Sequence, residues 1–147
     1  MEKIADVLAR KYPQFNRVVP DCPVSDALYQ MSSENVDFLI VMENNAFIGL
    51  ITDHDIASRI LFEHRALNKI MVREFMSTSM PVATGDTSLE QAMQLMERYH
   101  VKHIAIFDRF DFCGVVSSHD LMQQALVEHK DFQFSEAVAR QGYPWNY

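Results

Sequence analysis

Two segments hold the residues best suited to chemistry: Gly49-Leu50-Ile51-Thr52-Asp53-His54-Asp55 and Gly114-Val115-Val116-Ser117-Ser118-His119-Asp120. Both have the form Gly-apolar-apolar-(Thr/Ser)-x-x-Asp. A hydroxyl followed three residues later by a carboxylate is a capping box at a helix start, and capping alone explains either segment. The same geometry also suits a nucleoside phosphate. A helix N-terminus presents free amides and the positive end of a dipole, a hydroxyl there can donate to a phosphate oxygen, and an ionised Asp can accept the paired hydroxyls of a ribose. A glycine in the preceding strand lets another backbone or a flat base come close.

Other chemistry finds little support. The chain has no Gly-x-Ser-x-Gly elbow, Walker loop, Gly-x-Gly-x-x-Gly or Cys-x-x-Cys. Cys22 precedes a helix and Cys113 lies inside a strand, where it reads as core rather than as a nucleophile. His100 and His103 form a His-x-x-His pair, but at a helix-to-strand transition and with no third ligand of matching spacing, so no metal is assigned. His64 and His129 recur near helix C-termini, where a positive charge suits the dipole. The expectation is a binding or regulatory module with no catalytic residue.

The elements that position the two segments form a repeat. Sliding the chain by 65 residues superposes Val24-x-x-Ala27-Leu28-x-x-Met31 on Leu89-x-x-Ala92-Met93-x-x-Met96, and Phe47-Ile48-Gly49-Leu50-Ile51-Thr52 on Phe112-Cys113-Gly114-Val115-Val116-Ser117, without a gap. Between residues 21 and 65 eleven positions are identical in the shifted copy, where ordinary composition gives about three. The apolar spacing predicts an amphipathic helix in each copy. The second helix is introduced by a Thr87-Ser88-Leu89-Glu90 capping box and the first by Pro23. Phe38–Met42 with Phe47–Ile51, and Ile104–Phe107 with Phe112–Val116, read as buried hairpins. Val18-Val19 and Val82-Ala83 supply leading strands, and further helices start near Asp53, burying Ile56, Ile60 and Leu61, and near Ser118, burying Leu121, Ala125 and Leu126.

The fold class is therefore α/β (α+β), two β-α-β-β-α motifs expected to pack as one pseudo-two-fold body. The divisions are an N-terminal helix over residues 1–15, with Ile4, Val7, Leu8 and Tyr12 on one face, a first motif over 16–65, a linker with a short helix over 66–80, a second motif over 81–130 and an aromatic tail over 131–147 holding Phe134, Tyr143, Trp145 and Tyr147.

Bulk properties bound the partners. A net charge of −7 without a run of basic residues argues against a nucleic-acid partner. The absence of an apolar run of about 18 residues and of a signal-peptide pattern leads to an expectation of no membrane span and a cytoplasmic location.

These features resemble a tandem pair of cystathionine-β-synthase (CBS) domains, a Bateman module, over about residues 16 to 130. The resemblance rests on Asp21-Cys22-Pro23-Val24 and Asp86-Thr87-Ser88-Leu89 before the first helices, on His103-Ile104-Ala105-Ile106, and on the two Gly-x-x-(Thr/Ser)-x-x-Asp segments in register. It implies a module that binds an adenosine nucleotide (AMP, ADP or ATP) in clefts between its halves, with no covalent cofactor, and that often forms a homodimer. Asp55 and Asp120 would hold ribose, Thr52 and Ser117 would face phosphate, Lys102 and His103 would also bind the ligand, and the backbone near Val18, Val19, Val82 and Ala83 would flank the base.

The copies differ where charge matters. The second has Lys102 and Ser118 where the first has Asp37 and Asp53. At an effective dielectric near 20, a unit charge about 6 Å from a phosphate is worth roughly 3 kcal/mol, so the two sites are expected to be unequal, with that of Ser117 and Asp120 the better phosphate binder. A nucleotide sensor that acts on an effector protein, an unliganded assembly module of the same fold, and an enzyme remain as readings at this level.

Overall fold

The computed structural model describes residues 2–128, so the aromatic tail and His129 lie outside the described residues. The described residues divide into two compact units, one of residues 12–80 and the other of residues 2–11 with 81–128.

In the first unit the order is β1 (Arg17–Val18), α2 (Val24–Glu34), β2 (Phe38–Glu43), β3 (Ala46–Thr52), α3 (Asp53–Ser58), a 3₁₀ turn (Ile60–Phe62), another (Leu67–Lys69) and α4 (Val72–Phe75). In the second it is α1 (Ile4–Lys11), β4 (Val82–Ala83), α5 (Leu89–Tyr99), β5 (His103–Asp108), β6 (Asp111–Ser117) and α6 (Ser118–Glu128). Each unit has a three-stranded sheet in which the leading strand runs parallel to the first hairpin strand and the hairpin is antiparallel.

The duplication extends to local detail. The ladder slips between Val41 and Met42 in one sheet and between Ile106 and Phe107 in the other, the same place in each copy. α2 and α5 end on residues in the left-handed region, Asn35 (φ 54°) and His100 (φ 53°), whose amides close onto the preceding turn. His100 is thus a helix C-cap. In the first hairpin Asn44 and Asn45 both have positive φ (51° and 63°), the conformation a two-residue turn needs to match strand twist.

One core in each unit holds the sheet to its helices. Val24, Ala27 and Met31 of α2 pack with Leu39, Val41, Ile51, Ile56, Ile60, Ile70 and Val72. Leu89, Ala92 and Met96 of α5 pack with Ile104, Ile106, Val116 and Leu121, and also with Ile4, Val7 and Leu8. The helix α1 therefore lies on the second copy although it precedes the first in the chain. Val72 of α4, which precedes the second copy, is in the core of the first. Burying a side chain such as Ile4 or Val72 contributes about 1.5–3 kcal/mol, which holds these short helices in place.

Several expectations are corrected in detail. The cap of α5 is Ser88 with Gln91, one residue after the expected pair, because Ser88 Oγ is the oxygen that accepts from the Gln91 amide (3.1 Å). The helix after Asp53 stops at Ser58, since Arg59 leaves the helical region (φ −126°, ψ −48°) and a 3₁₀ turn follows. Ile56 and Ile60 are buried, but Leu61 and its counterpart Leu126 are each 62% exposed. Tyr12 is exposed after the end of α1, and Val19 is exposed just beyond β1.

Candidate functional site

Both hydroxyl–carboxylate pairs sit where a hairpin strand runs into a helix. In the first copy the Thr52 amide and hydroxyl both donate to Asp55 Oδ2 (3.0 Å each), and the Asp55 amide donates back to Thr52 Oγ1 (3.1 Å). In the second the Ser117 amide donates to Asp120 Oδ2 (2.8 Å) and the Asp120 amide to Ser117 Oγ (3.1 Å). The capping arrangement is thus present twice.

What surrounds the two carboxylates differs. Arg59, one helical turn after Asp55, donates to Asp55 Oδ1 at 3.1 Å and to the Phe75 carbonyl at 2.5 Å, with its guanidinium over the Phe75 ring. The residue matching Arg59 in the second copy is Gln124, which is buried and hydrogen-bonded to Arg10 and Glu2. Asp120 is met instead by Lys11 of α1, whose ammonium donates to Asp120 Oδ2 at 2.6 Å and to the Val115 carbonyl at 3.2 Å. Asp55 therefore has both oxygens engaged. Asp120 has its bonds gathered on Oδ2, and Oδ1 accepts none from the described residues.

The hydroxyls differ in the same sense. Thr52 gives its proton to Asp55, whereas the buried Ser117 hydroxyl has no acceptor among the described residues. The helices differ too: α3 has 6 residues and α6 has 11. More aligned peptide dipoles make the longer helix the better anion-facing end.

Of the other expected residues, His103 opens β5 directly opposite Ser117, and the neighbouring Lys102 carbonyl accepts from the Ser118 amide (2.9 Å). Lys102, His103, Ser117 and Asp120 thus share one end of the β5–β6 hairpin. Val82 and Ala83 pair with Ala105 and Ile106, on the side of β5 away from β6, so within this unit they do not adjoin the motif. Val18 likewise pairs with Val41, while Val19 stands beyond the strand.

Gly49 has a structural duty. A Cβ there would lie 2.5 Å from the Ser77 carbonyl oxygen, because the segment at Ser77 exchanges backbone hydrogen bonds with Leu50 (2.9 and 2.7 Å). The close approach it permits in this unit is that of another backbone.

Sequence reasoning missed Lys11 and Arg59. Arg59 carried a local signal, an Asp-to-Arg spacing of one helical turn. Lys11 carried none, since 109 residues separate it from Asp120 and only the docking of α1 joins them. Among the described residues no three His, Cys, Asp or Glu side chains are gathered to hold a metal ion. Both cysteines are half-buried, and burial, then the nearby Asp26 carboxylate, pushes the Cys22 thiol up from its ordinary value.

Comparison with known proteins places this architecture. The CBS domain profile matches residues 4–61 and 72–126, and the chain belongs to the CBS domain family. It is 32% identical over 108 residues to the CBS domain-containing protein YhcV of Bacillus subtilis, covering 74% of this chain and 76% of that protein. It is 30% identical over 129 residues to the mitochondrial CBS domain-containing protein CBSX3 of Arabidopsis thaliana, covering 84% of this chain and 63% of that one. Among solved structures, the CBS-domain containing protein of Agrobacterium tumefaciens aligns with a TM-score of 0.76 at 18% identity, covering 83% of this chain and 98% of that one. The hexameric CBS-CP12 protein of bloom-forming cyanobacteria aligns with a TM-score of 0.73 at 17% identity, covering 95% and 77%. These two likenesses concern the fold. No helix among the described residues is long and apolar enough to cross a membrane.

Proposed function

We propose that this CBS-domain pair is a regulatory module that reversibly binds an adenosine nucleotide (AMP, ADP or ATP) at the second copy and passes occupancy to a partner protein or to a second copy of itself. The observation that carries this reading is the state of Ser117 and Asp120. A carboxylate oxygen and a hydroxyl proton, both without partners among the described residues, stand together at the start of an eleven-residue helix. Such a pair can accept from ribose hydroxyls and donate to a phosphate oxygen. Binding is the output in this reading.

The first copy supports a different role for its motif. With Asp55 satisfied by Thr52 and Arg59, that segment serves as a helix cap. Self-association accords with the hexameric state of the cyanobacterial relative, and a homodimer is the simplest closed form.

A thermal-shift screen with AMP, ADP, ATP and S-adenosylmethionine tests the proposal. A ligand at 100 times its dissociation constant adds about 2.7 kcal/mol of stability, a shift of several degrees. If none of the four moves the transition, the nucleotide reading fails and the unliganded assembly module stands in its place.

A further inference from the structure

The ion pair between Lys11 and Asp120 joins the N-terminal helix to the motif of the second copy, although the first copy lies between them in the chain. Both side chains line a cavity of about 310 Å³, together with Val7, Arg10, Gln123 and Gln124, which is at the small end of the range for ligand pockets. The pair is partly exposed, the Lys11 side chain at 23% and that of Asp120 at 16%, so a ligand can reach it.

We infer that Lys11 is a specificity-determining residue of the second-copy site, selecting phosphate-bearing adenosine ligands over the uncharged nucleoside. The inference rests on the nucleotide reading above and adds to it. A carboxylate that accepts ribose hydroxyls also repels the phosphate of the same ligand, and the longer the phosphate chain the greater the repulsion. Lys11 cancels that charge at its source. It does so through Oδ2, which it shares with the Ser117 amide, and so leaves Oδ1 to the sugar.

The first copy shows what the arrangement avoids. The residue matching Lys11 there is Met76, and the cation that neutralises Asp55 is Arg59, which occupies Oδ1 itself. Charge is balanced in both copies, but only in the second does the balancing cation spare the oxygen a ribose would use.

The test is a calorimetric titration of the full chain and of Lys11→Met with adenosine, AMP and ATP. Lys11→Met removes the charge and keeps an unbranched side chain like that of the matching Met76. Affinity for ATP should fall by about 10-fold or more, that for AMP by less, and that for adenosine by under about 2-fold, as one uncancelled charge near a phosphate dictates after solvent screening. Lys11→Arg, which restores the charge, should return the preference for ATP and guards against a folding defect. An equal loss for adenosine and ATP, or an unchanged ATP affinity, overturns the assignment. If the unaltered protein binds none of the three, the nucleotide reading itself fails and the assignment with it, a result distinct from binding whose rank order ignores Lys11.

Discussion

Arg59 donates to Asp55 Oδ1 at 3.1 Å, and through that one bond the first copy closes the carboxylate oxygen that the second copy leaves open. The matching residue, Gln124, is neutral and occupied with Arg10 and Glu2. Arg59 against Gln124 is therefore one difference between the two motifs, beside the states of the Thr52 and Ser117 hydroxyls, Met76 against Lys11 and the lengths of α3 and α6.

Replacing Arg59 with Gln should convert the first motif toward the state of the second. The Arg59 side chain is half-exposed, so losing its ion pair should cost no more than about 1 kcal/mol. In equilibrium titration Arg59→Gln should show a second, weaker binding event. A stoichiometry that stays at one would mean that Arg59 is not what closes Asp55.

The fit between Gly49 and Ser77 gives a prediction about stability alone. Gly49→Ala would place a methyl carbon 2.5 Å from a backbone oxygen, and relief requires breaking the Leu50–Ser77 hydrogen bonds. Urea unfolding should show a loss of about 1–3 kcal/mol, the range for overpacking a well-filled site. An unaltered midpoint would show that the Ser77 segment gives way freely.

Cys22 supplies a pH dependence. Burial and Asp26 push its thiol up, so the native state holds this proton more tightly than the unfolded chain does. A raised value means that the stabilising contribution is present below the ordinary thiol range and is lost as pH rises through the native value. In a Cys113→Ser background, the pH profile of thiol labelling should have its midpoint at higher pH in native protein than in urea. Coincident midpoints would contradict this.

Much of the fold could be read from local pattern. The helices α2 and α5, the two hairpins and the shared Gly-x-x-(Thr/Ser)-x-x-Asp segments follow from spacing within a few residues and from comparing one copy with the other. The structure differs where two neighbouring residues could serve equally well, as with Thr87 and Ser88 for the α5 cap, and where the backbone leaves the helical region within an apolar pattern that continues, as at Arg59. The position of α1 on the second copy has no local signal, because its apolar face suits any apolar partner. With it went the ion pair of Lys11 with Asp120, which forms only when α1 docks there. The different partners of Asp120 and Asp55 are a distinction between the copies separate from that of Lys102 against Asp37, on which the expectation of unequal sites rests.

Which carboxylate holds the ligand is tested directly by calorimetric titration of the unaltered chain, Asp120→Asn and Asp55→Asn with ATP. Asn keeps an oxygen to accept the capping amide but loses the charge, so both variants should fold. The prediction is one nucleotide per chain, binding abolished or weakened at least about 10-fold in Asp120→Asn and retained in Asp55→Asn, the loss expected when a charged acceptor to ligand hydroxyls is removed. Two equal sites, or binding that survives in Asp120→Asn and disappears in Asp55→Asn, would contradict it.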